Sequence, residues 1–526
     1  MANRLSARVR SAVCGLALVT GAGALAACAS PAGTTSATGG GRAVTVALSS
    51  DPDALDPTLS ATVTGRAVLV NMCEGLFEIN DQAQVAPRLA TALPTVSADG
   101  RTLTIKLRQG VTFNDGTPFN AAAVVTTLQR DKTLKTSARV GDLASMESVK
   151  AVDDSTVELS LSRPDAGLVG QLSDRAGQIV SPAQLEKLGD DFGKNPVCVG
   201  PFSFVSRNPG SNIVLEKSTH YYDAAAVKLD KVTFNIVADD NIRATQLRAG
   251  TVQVADRIPT NSVAQLKSDQ AVTIAQNTSL GFWGIAVNVG NQGAGKPFAP
   301  VDRPLANLAV RQALELSLDR ASITHVVYND LFKPDCAPLS PASPYATPPT
   351  CPQRDVAKAK QLLADAGVAT PVKLTLRSDN NTQTQQLDQI LQSQAKEAGF
   401  DIKIETSDIT SLIADEKSGD YDAFILQWSG RVDPDANIRA FNATTGSLNY
   451  TGASTPEIDT LLGQGVGTAD VAARTPIYDQ VTKALQARLN IIYLFHDVYL
   501  DGVSAKLTGF QMFSDGLPRL KTASLS

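Results

Sequence analysis

Histidine is scarce in this 526-residue chain: His220, His325 and His496 are the only three, and they lie far apart. A metal site built from imidazoles, or a Ser-His-Asp relay, has little to draw on. No Gly-x-Ser-x-Gly elbow occurs, so the usual nucleophile turn of a hydrolase is missing. No two cysteines have Cys-x-x-Cys spacing, which weakens a zinc or redox motif. Like charges form no long runs and the formal net charge is −5, which argues against nucleic acid or an anionic membrane surface as the main partner. The segment Gly290–Lys296 spells G-x-x-x-x-G-K, but Pro297 stands where a phosphate loop needs a Ser or Thr hydroxyl for magnesium. It reads as a loop. No cofactor and no metal are expected.

What is present is the composition of a soluble globular chain, 43% hydrophobic and 19% charged, long enough for two or more domains. Its first 28 residues are a different object. Arg4, Arg8 and Arg10 precede an apolar run from Ala12 to Ala24, broken by glycines and too short to span a membrane. Residues 1–27 therefore read as a signal peptide. Leu25-Ala26-Ala27-Cys28 resembles a bacterial lipobox, which implies lipidation of Cys28. Residues 28–42, rich in Gly, Ser and Thr, then form a flexible tether that would hang a globular body outside a membrane. Loss of the first 27 residues removes three arginines and no acid, leaving a formal charge near −8.

Six cysteines less Cys14 in the leader and Cys28 leave Cys73, Cys198, Cys336 and Cys351. In an oxidising compartment these suggest two disulfides, for which three pairings exist. Cys336 and Cys351 bracket a proline-rich loop, and a bridge there would leave Cys73 to Cys198. Free buried thiols are the alternative.

Periodicity outlines the body. Ala43–Leu48 alternates as a strand. Asp99-Gly100 sits between two strand-like runs and predicts a hairpin, and residues 149–161 predict another about Asp153-Asp154. Val310, Ala313, Leu314, Ser317 and Leu318 share a helical face. Asp355 predicts a helix start and Gly367 its end, with Ala359 and Leu363 inward. Strands about Leu374, Ile402 and Ile425 alternate with helices about Leu391 and Leu412, the pattern of a parallel sheet. In such sheets ligands bind beyond the carboxyl ends of the strands. The stretch Ile425-Leu-Gln-Trp428-Ser429-Gly430-Arg431-Val-Asp433-Pro-Asp435 is such an end. Asp433 and Asp435 could serve as a carboxylate pair, although aspartates beside proline are more often turn and capping residues.

The chain resembles the extracytoplasmic solute-binding proteins of peptide- and nickel-type ABC importers (family 5). The likeness is carried by Leu55-Asp56-Pro57, Cys73-Glu74-Gly75-Leu76, Ala86–Ala90, the stretch Ser97–Pro118, Val199–Phe202, Arg311–Leu314 with Asp319-Arg320, and Ser454–Asp459. It implies an α/β, two-lobed periplasmic-binding-protein-like fold (type II, cluster C) with an extra subdomain in the first lobe. Residues 43–280 would form the first lobe, 281–490 the second, and 491–526 a return to the first, with crossings near 280–288 and 491–496. It implies a monomeric, non-enzymatic protein that hands a peptide or peptide-like solute to permease and ATPase subunits. A nickel chelate, an opine or another anionic solute is the alternative cargo, and an exported hydrolase the remote one. Peptide-binding relatives often place an aspartate just after the tryptophan of the 428 motif, where this chain has Arg431. A guanidinium there suits a carboxylate, unless it only pairs with Asp433 or Asp435 to brace the loop. The candidate ligand residues are Trp428, Ser429, Gly430, Arg431 and Asp433, with Phe282, Trp283, Glu74 and Met72.

Overall fold

Strand Ala43–Leu48 buries Val44, Val46 and Leu48 and lies at the centre of a seven-stranded sheet. The computed structural model describes residues 42–526 apart from 454 and 469, so the leader and Cys28 lie outside the described residues. The sheet runs in the order Val272–Thr278, Val498–Ser504, Val254–Ala255, Ala43–Leu48, Lys231–Ile236, Asn212–Lys217 and Phe202–Asn208. A separate four-stranded antiparallel sheet contains both expected hairpins: Thr95–Val96 pairs with Thr102–Lys106 across Asp99-Gly100, and Met146–Asp153 pairs with Thr156–Leu161. Helix Ala121–Thr133, capped by Asn120, packs on this sheet.

The second lobe is a six-stranded sheet ordered Lys333–Pro334, Ile491–His496, Phe282–Val287, Ala423–Trp428, Val372–Asp379 and Phe400–Ser407. Only its last three strands are parallel, and these alternate with helices Thr382–Glu397 and Ile409–Ser418. Strands Phe282–Val287 and Ile491–His496 add antiparallel, so the sheet is mixed where the helix–strand alternation alone predicts a parallel one. The periodic segments fold as read. Helix Val356–Asp365 starts at Asp355, whose carboxylate accepts from Lys358 N at 2.9 Å, and buries Ala359 and Leu363; Gly367 follows at φ +65°. Helices Pro434–Asn442, Pro456–Val466 and Val471–Arg488 pack together beside the sheet.

The chain leaves the first sheet after Thr278, enters the second at Phe282, and returns between His496 and Val498. Residues 282–287 and 491–496 are thus strands of the second sheet, and the crossings are the shorter links 279–281 and Asp497. Those links are tied to each other: Ser279 N donates to Asp497 O at 2.9 Å and the Ser279 hydroxyl to the Asp497 carboxylate. Disulfides join Cys73 to Cys198 and Cys336 to Cys351, with Cα separations of 4.9 and 5.6 Å. Among the described residues no helix is long and apolar enough to cross a membrane.

Candidate functional site

Trp428 ends its strand in register with Phe282, and the chain leaves the sheet through Ser429 and Gly430. Gly430 has φ +79° and touches Leu280, where a Cβ would fall 2.2 Å from the carbonyl carbon. Only glycine fits there. Asp433 then caps helix Pro434–Asn442, accepting from Asp435 N at 2.9 Å, with Pro434 in the first turn. The buried Asn437 amide sets the loop's shape from inside that helix. Its Oδ1 accepts from Trp428 Nε1 at 2.9 Å and Arg431 N at 2.7 Å, and its Nδ2 donates to Arg431 O at 2.6 Å.

Arg431 is half-buried, its guanidinium 4.5 Å above the Trp428 ring and its Nη1 donating to Gly430 O at 2.7 Å. Neither neighbouring acid pairs with it. Asp433 holds Arg474 at 2.7 and 3.0 Å, and Asp435 holds Arg439 at 2.6 and 2.9 Å. The charge of Arg431 is instead set against the first lobe.

There, helix Val63–Leu69 carries Arg66, whose Nε lies 3.1 Å from Asp174 Oδ1; Arg175 Nε is 3.5 Å from the same oxygen. Arg139 pairs with Asp142 at 2.7 Å, and both Arg139 and Arg175 donate to Ser60 O, at 3.1 and 2.8 Å. Four guanidiniums, of Arg66, Arg139, Arg175 and Arg431, therefore act on the Asp174 and Asp142 carboxylates, with Asp515 a further acid near Arg66. Burial opposes the Asp174 charge, yet Arg66, Arg175, Arg431 and Arg139 outweigh it and hold its carboxyl well below the usual range. Burial, then repulsion from Arg66 and Arg139, brings Arg175 down to about 9 against the pull of Asp174. Burial and repulsion from Arg66 also lower Arg431, with Asp174 and Asp142 opposing. Burial is the largest cause of both depressions and repulsion among the guanidiniums adds to it, whereas at Arg66 burial is outweighed by Asp174, Asp515 and Tyr499 and the guanidinium is raised. Tyr499 closes the site from the return strand, donating its hydroxyl to Ser429 O at 3.1 Å with Arg257 5.0 Å from its ring.

The other sequence candidates lie elsewhere. Every residue of strand Phe282–Val287 is buried because both faces of this central strand are covered. Phe282 packs edge-on against Phe441 and Tyr493, and Trp283 stacks on Phe495, so both belong to the core rather than the cleft wall. Met72 is likewise a core side chain. Asp433 is corrected too: both its oxygens are taken by Arg474 and the helix cap. Glu74 accepts from Arg88 Nε at 2.7 Å and Tyr222 at 2.9 Å, as well as from Tyr221. It lines a cavity of about 250 Å³ in the first lobe that Arg66 and Asp174 also line, so it adjoins the arginine site without belonging to the interlobe gap. Arg66, Arg139, Asp142, Asp174, Arg175 and Tyr499 have no spacing pattern that marks them in the sequence.

A family model for bacterial extracellular solute-binding proteins, family 5 middle, matches residues 84–449. The chain is 29% identical over 496 residues to the glutathione-binding protein GsiB of Pectobacterium atrosepticum, covering 91% of this chain and 94% of that protein. Among solved structures, the ABC transporter substrate-binding protein CtaP from Listeria monocytogenes superposes with TM-score 0.82 at 25% identity, over 92% of this chain and 99% of that one. AgaA from A. tumefaciens R10, solved with agropinic acid, gives TM-score 0.77 at 26% identity over 92% and 99%.

Proposed function

Because the chain belongs to the bacterial extracellular solute-binding proteins of family 5, the substrate-binding components of ABC importers, we propose that its cargo is a small peptide or peptide-like solute carrying more negative than positive charge. The observation that carries this is the set of four guanidiniums acting on the Asp174 and Asp142 carboxylates beside the Trp428 face. A ligand with two carboxylates would pair the surplus cations, each through charge-assisted hydrogen bonds. Trp428, with Arg431 over its ring, borders the place of the ligand's body. The nearby relative named for glutathione supports a tripeptide of this kind, since glutathione carries two carboxylates and one ammonium at neutral pH. The AgaA complex with agropinic acid favours a second reading, an opine or similar anion on the same arginines.

We extend the reading to the rest of the chain from the two sheets of the body and the Leu25–Cys28 tetrad. The body is split into a first lobe over 43–278, a second over 282–496 and a return to the first from 498, joined by the links 279–281 and 497 that serve as the hinge. Lipid on Cys28 holds the protein at the outer face of the membrane, beside the permease and ATPase that receive the solute. A Cys28→Ala chain found soluble in the extracytoplasmic fraction supports the anchor, and one still in the membrane overturns it.

Native mass spectrometry of the purified protein, followed by isothermal titration with reduced glutathione, agropinic acid and Ala-Ala, tests the cargo. Preference for one of the two anionic solutes is expected. Equal or tighter binding of Ala-Ala, or a co-purified cationic ligand, overturns it.

A further inference from the structure

Just beyond Arg431 the second lobe meets the first away from the arginine cluster. Arg474 grips Asp433 with both terminal nitrogens, and both side chains are buried. Opposite them stand Gly167 and Gly170, at the one-turn helix Leu168–Gln171 of the first lobe. A Cβ at Gly170 would lie 3.1 Å from the Asp433 Cβ, and one at Gly167 would lie 3.2 Å from Asp433 Oδ1. Neither glycine has positive φ, so the backbone does not demand glycine. What their missing side chains permit is close approach. Beside this contact Ala166 N donates to Val466 O at 2.9 Å, a backbone hydrogen bond between the lobes. A cavity of about 800 Å³ opens next to it, walled by Pro164 and Val169 on one side and Tyr345 and Val471 on the other. Asp433 and Gly170 line that cavity whereas Arg66, Asp174 and Arg431 do not, so the cavity is separate from the arginine site.

We propose that Asp433, held by Arg474 and seated on Gly167 and Gly170, is the stop that sets how far the lobes close. Asp433 is on this account a positioning residue that touches no ligand. Its carboxylate is held in place because both oxygens accept hydrogen bonds, and the side chain meets Gly167 through Oδ1 and Gly170 through Cβ. The two glycines make a seat shallow enough for the Ala166–Val466 hydrogen bond to form. Any side chain at Gly170 would hold the lobes apart, since a buried strut braced by an ion pair cannot retreat cheaply.

The inference rests on the reading of two lobes that close on a solute, but its test needs no solute. In the full chain carrying Ala166→Cys and Val466→Cys, the direct hydrogen bond brings the two backbones within disulfide reach. The rate of crosslinking under mild oxidation, read by mass spectrometry after alkylation, reports how often the closed contact forms. Adding Gly170→Val should slow crosslinking by about tenfold or more, as overpacking of a tight contact requires. Gly167→Val should slow it as well, and Gly170→Ala less, with the melting temperature of each close to that of the parent. Unchanged crosslinking in both valine variants overturns the stop, as does a folded parent that never crosslinks. A failed peptide titration would overturn the cargo reading and leave this result standing.

Discussion

Replacing Arg474 by methionine keeps the apolar stem of the side chain and removes its charged head. All its donors are engaged: Nε with Gly465 O at 2.9 Å, Nη1 with Asp433 at 2.7 Å and Tyr345 at 3.2 Å, and Nη2 with Asp433 at 3.0 Å and Tyr478 at 3.1 Å. The residue is 1% exposed and its partner Asp433 5%. Little water reaches the pair in the parent, although both residues border the cavity of about 800 Å³. An orphaned buried carboxylate costs about 3–5 kcal/mol. The Asp433 cap to Asp435 N survives and offsets part of this, so a loss of about 3–4 kcal/mol is expected. Trp283 and Trp428 are the only tryptophans and both lie in the second-lobe sheet, which makes urea unfolding followed by tryptophan fluorescence selective for this lobe. With a slope of about 2–3 kcal/mol per molar, the midpoint should fall by roughly 1–2 M. Adding Asp433→Asn to Arg474→Met removes the stranded charge and should restore about 1–2 kcal/mol. A loss below about 1 kcal/mol for Arg474→Met, or no recovery in the double variant, would refute the picture of a desolvated pair bracing the loop.

Arg431→Met should weaken glutathione by about ten- to a hundredfold, the worth of one charge-assisted contact, while thermal stability holds; titration calorimetry checks both. Cys336→Ser with Cys351→Ser opens a loop with a sequence separation of 15 and should cost about 3 kcal/mol in the same urea assay, on loop-closure entropy. The effect should include loosening of Tyr345, which lies in that loop with its ring 5.0 Å from the Arg474 guanidinium. Burial raises Asp131 from 3.8 to about 7, with Asp56 adding to it and Thr58, Arg139 and Arg130 opposing. The folded state then keeps a proton the unfolded chain releases, so this stabilisation is full below pH 3.8 and is lost as pH rises through about 7. Melting curves at pH 5 and pH 8 should show Asp131→Asn gaining on the parent at the higher pH; a parallel pH dependence in the two proteins would count against it.

Local signals carried much of the second lobe. Asp355 and Gly367 delimit a helix because a cap oxygen and a left-handed stop act over a few residues. Asp99-Gly100 turned a hairpin for the same reason, with Gly100 at φ +70°. Phe282 and Trp283, expected at the ligand, are core residues instead. A strand covered on both faces and one beside a cleft can have the same composition, and only the neighbouring strands at 423–428 and 491–496 tell them apart. Asp433 shows the opposite ambiguity: its capping role was legible beside Pro434, but its partner Arg474 lies on another helix, beyond the reach of any local pattern.

By itself the amino-acid order determined the short-range features: caps, turns, alternation, the cysteines available for pairing, and the unusual placement of a guanidinium after Trp428. These depend on interactions spanning a few residues, so a window of sequence contains both partners. Only the tertiary structure decided what Arg431 faces. Its electrostatic neighbours Arg66, Arg139, Asp142 and Asp174 come from segments more than two hundred residues away, gathered because the chain crosses twice between two sheets. Charge in a cleft is a sum over both lobes, and that sum exists only once the lobes are folded and set against each other.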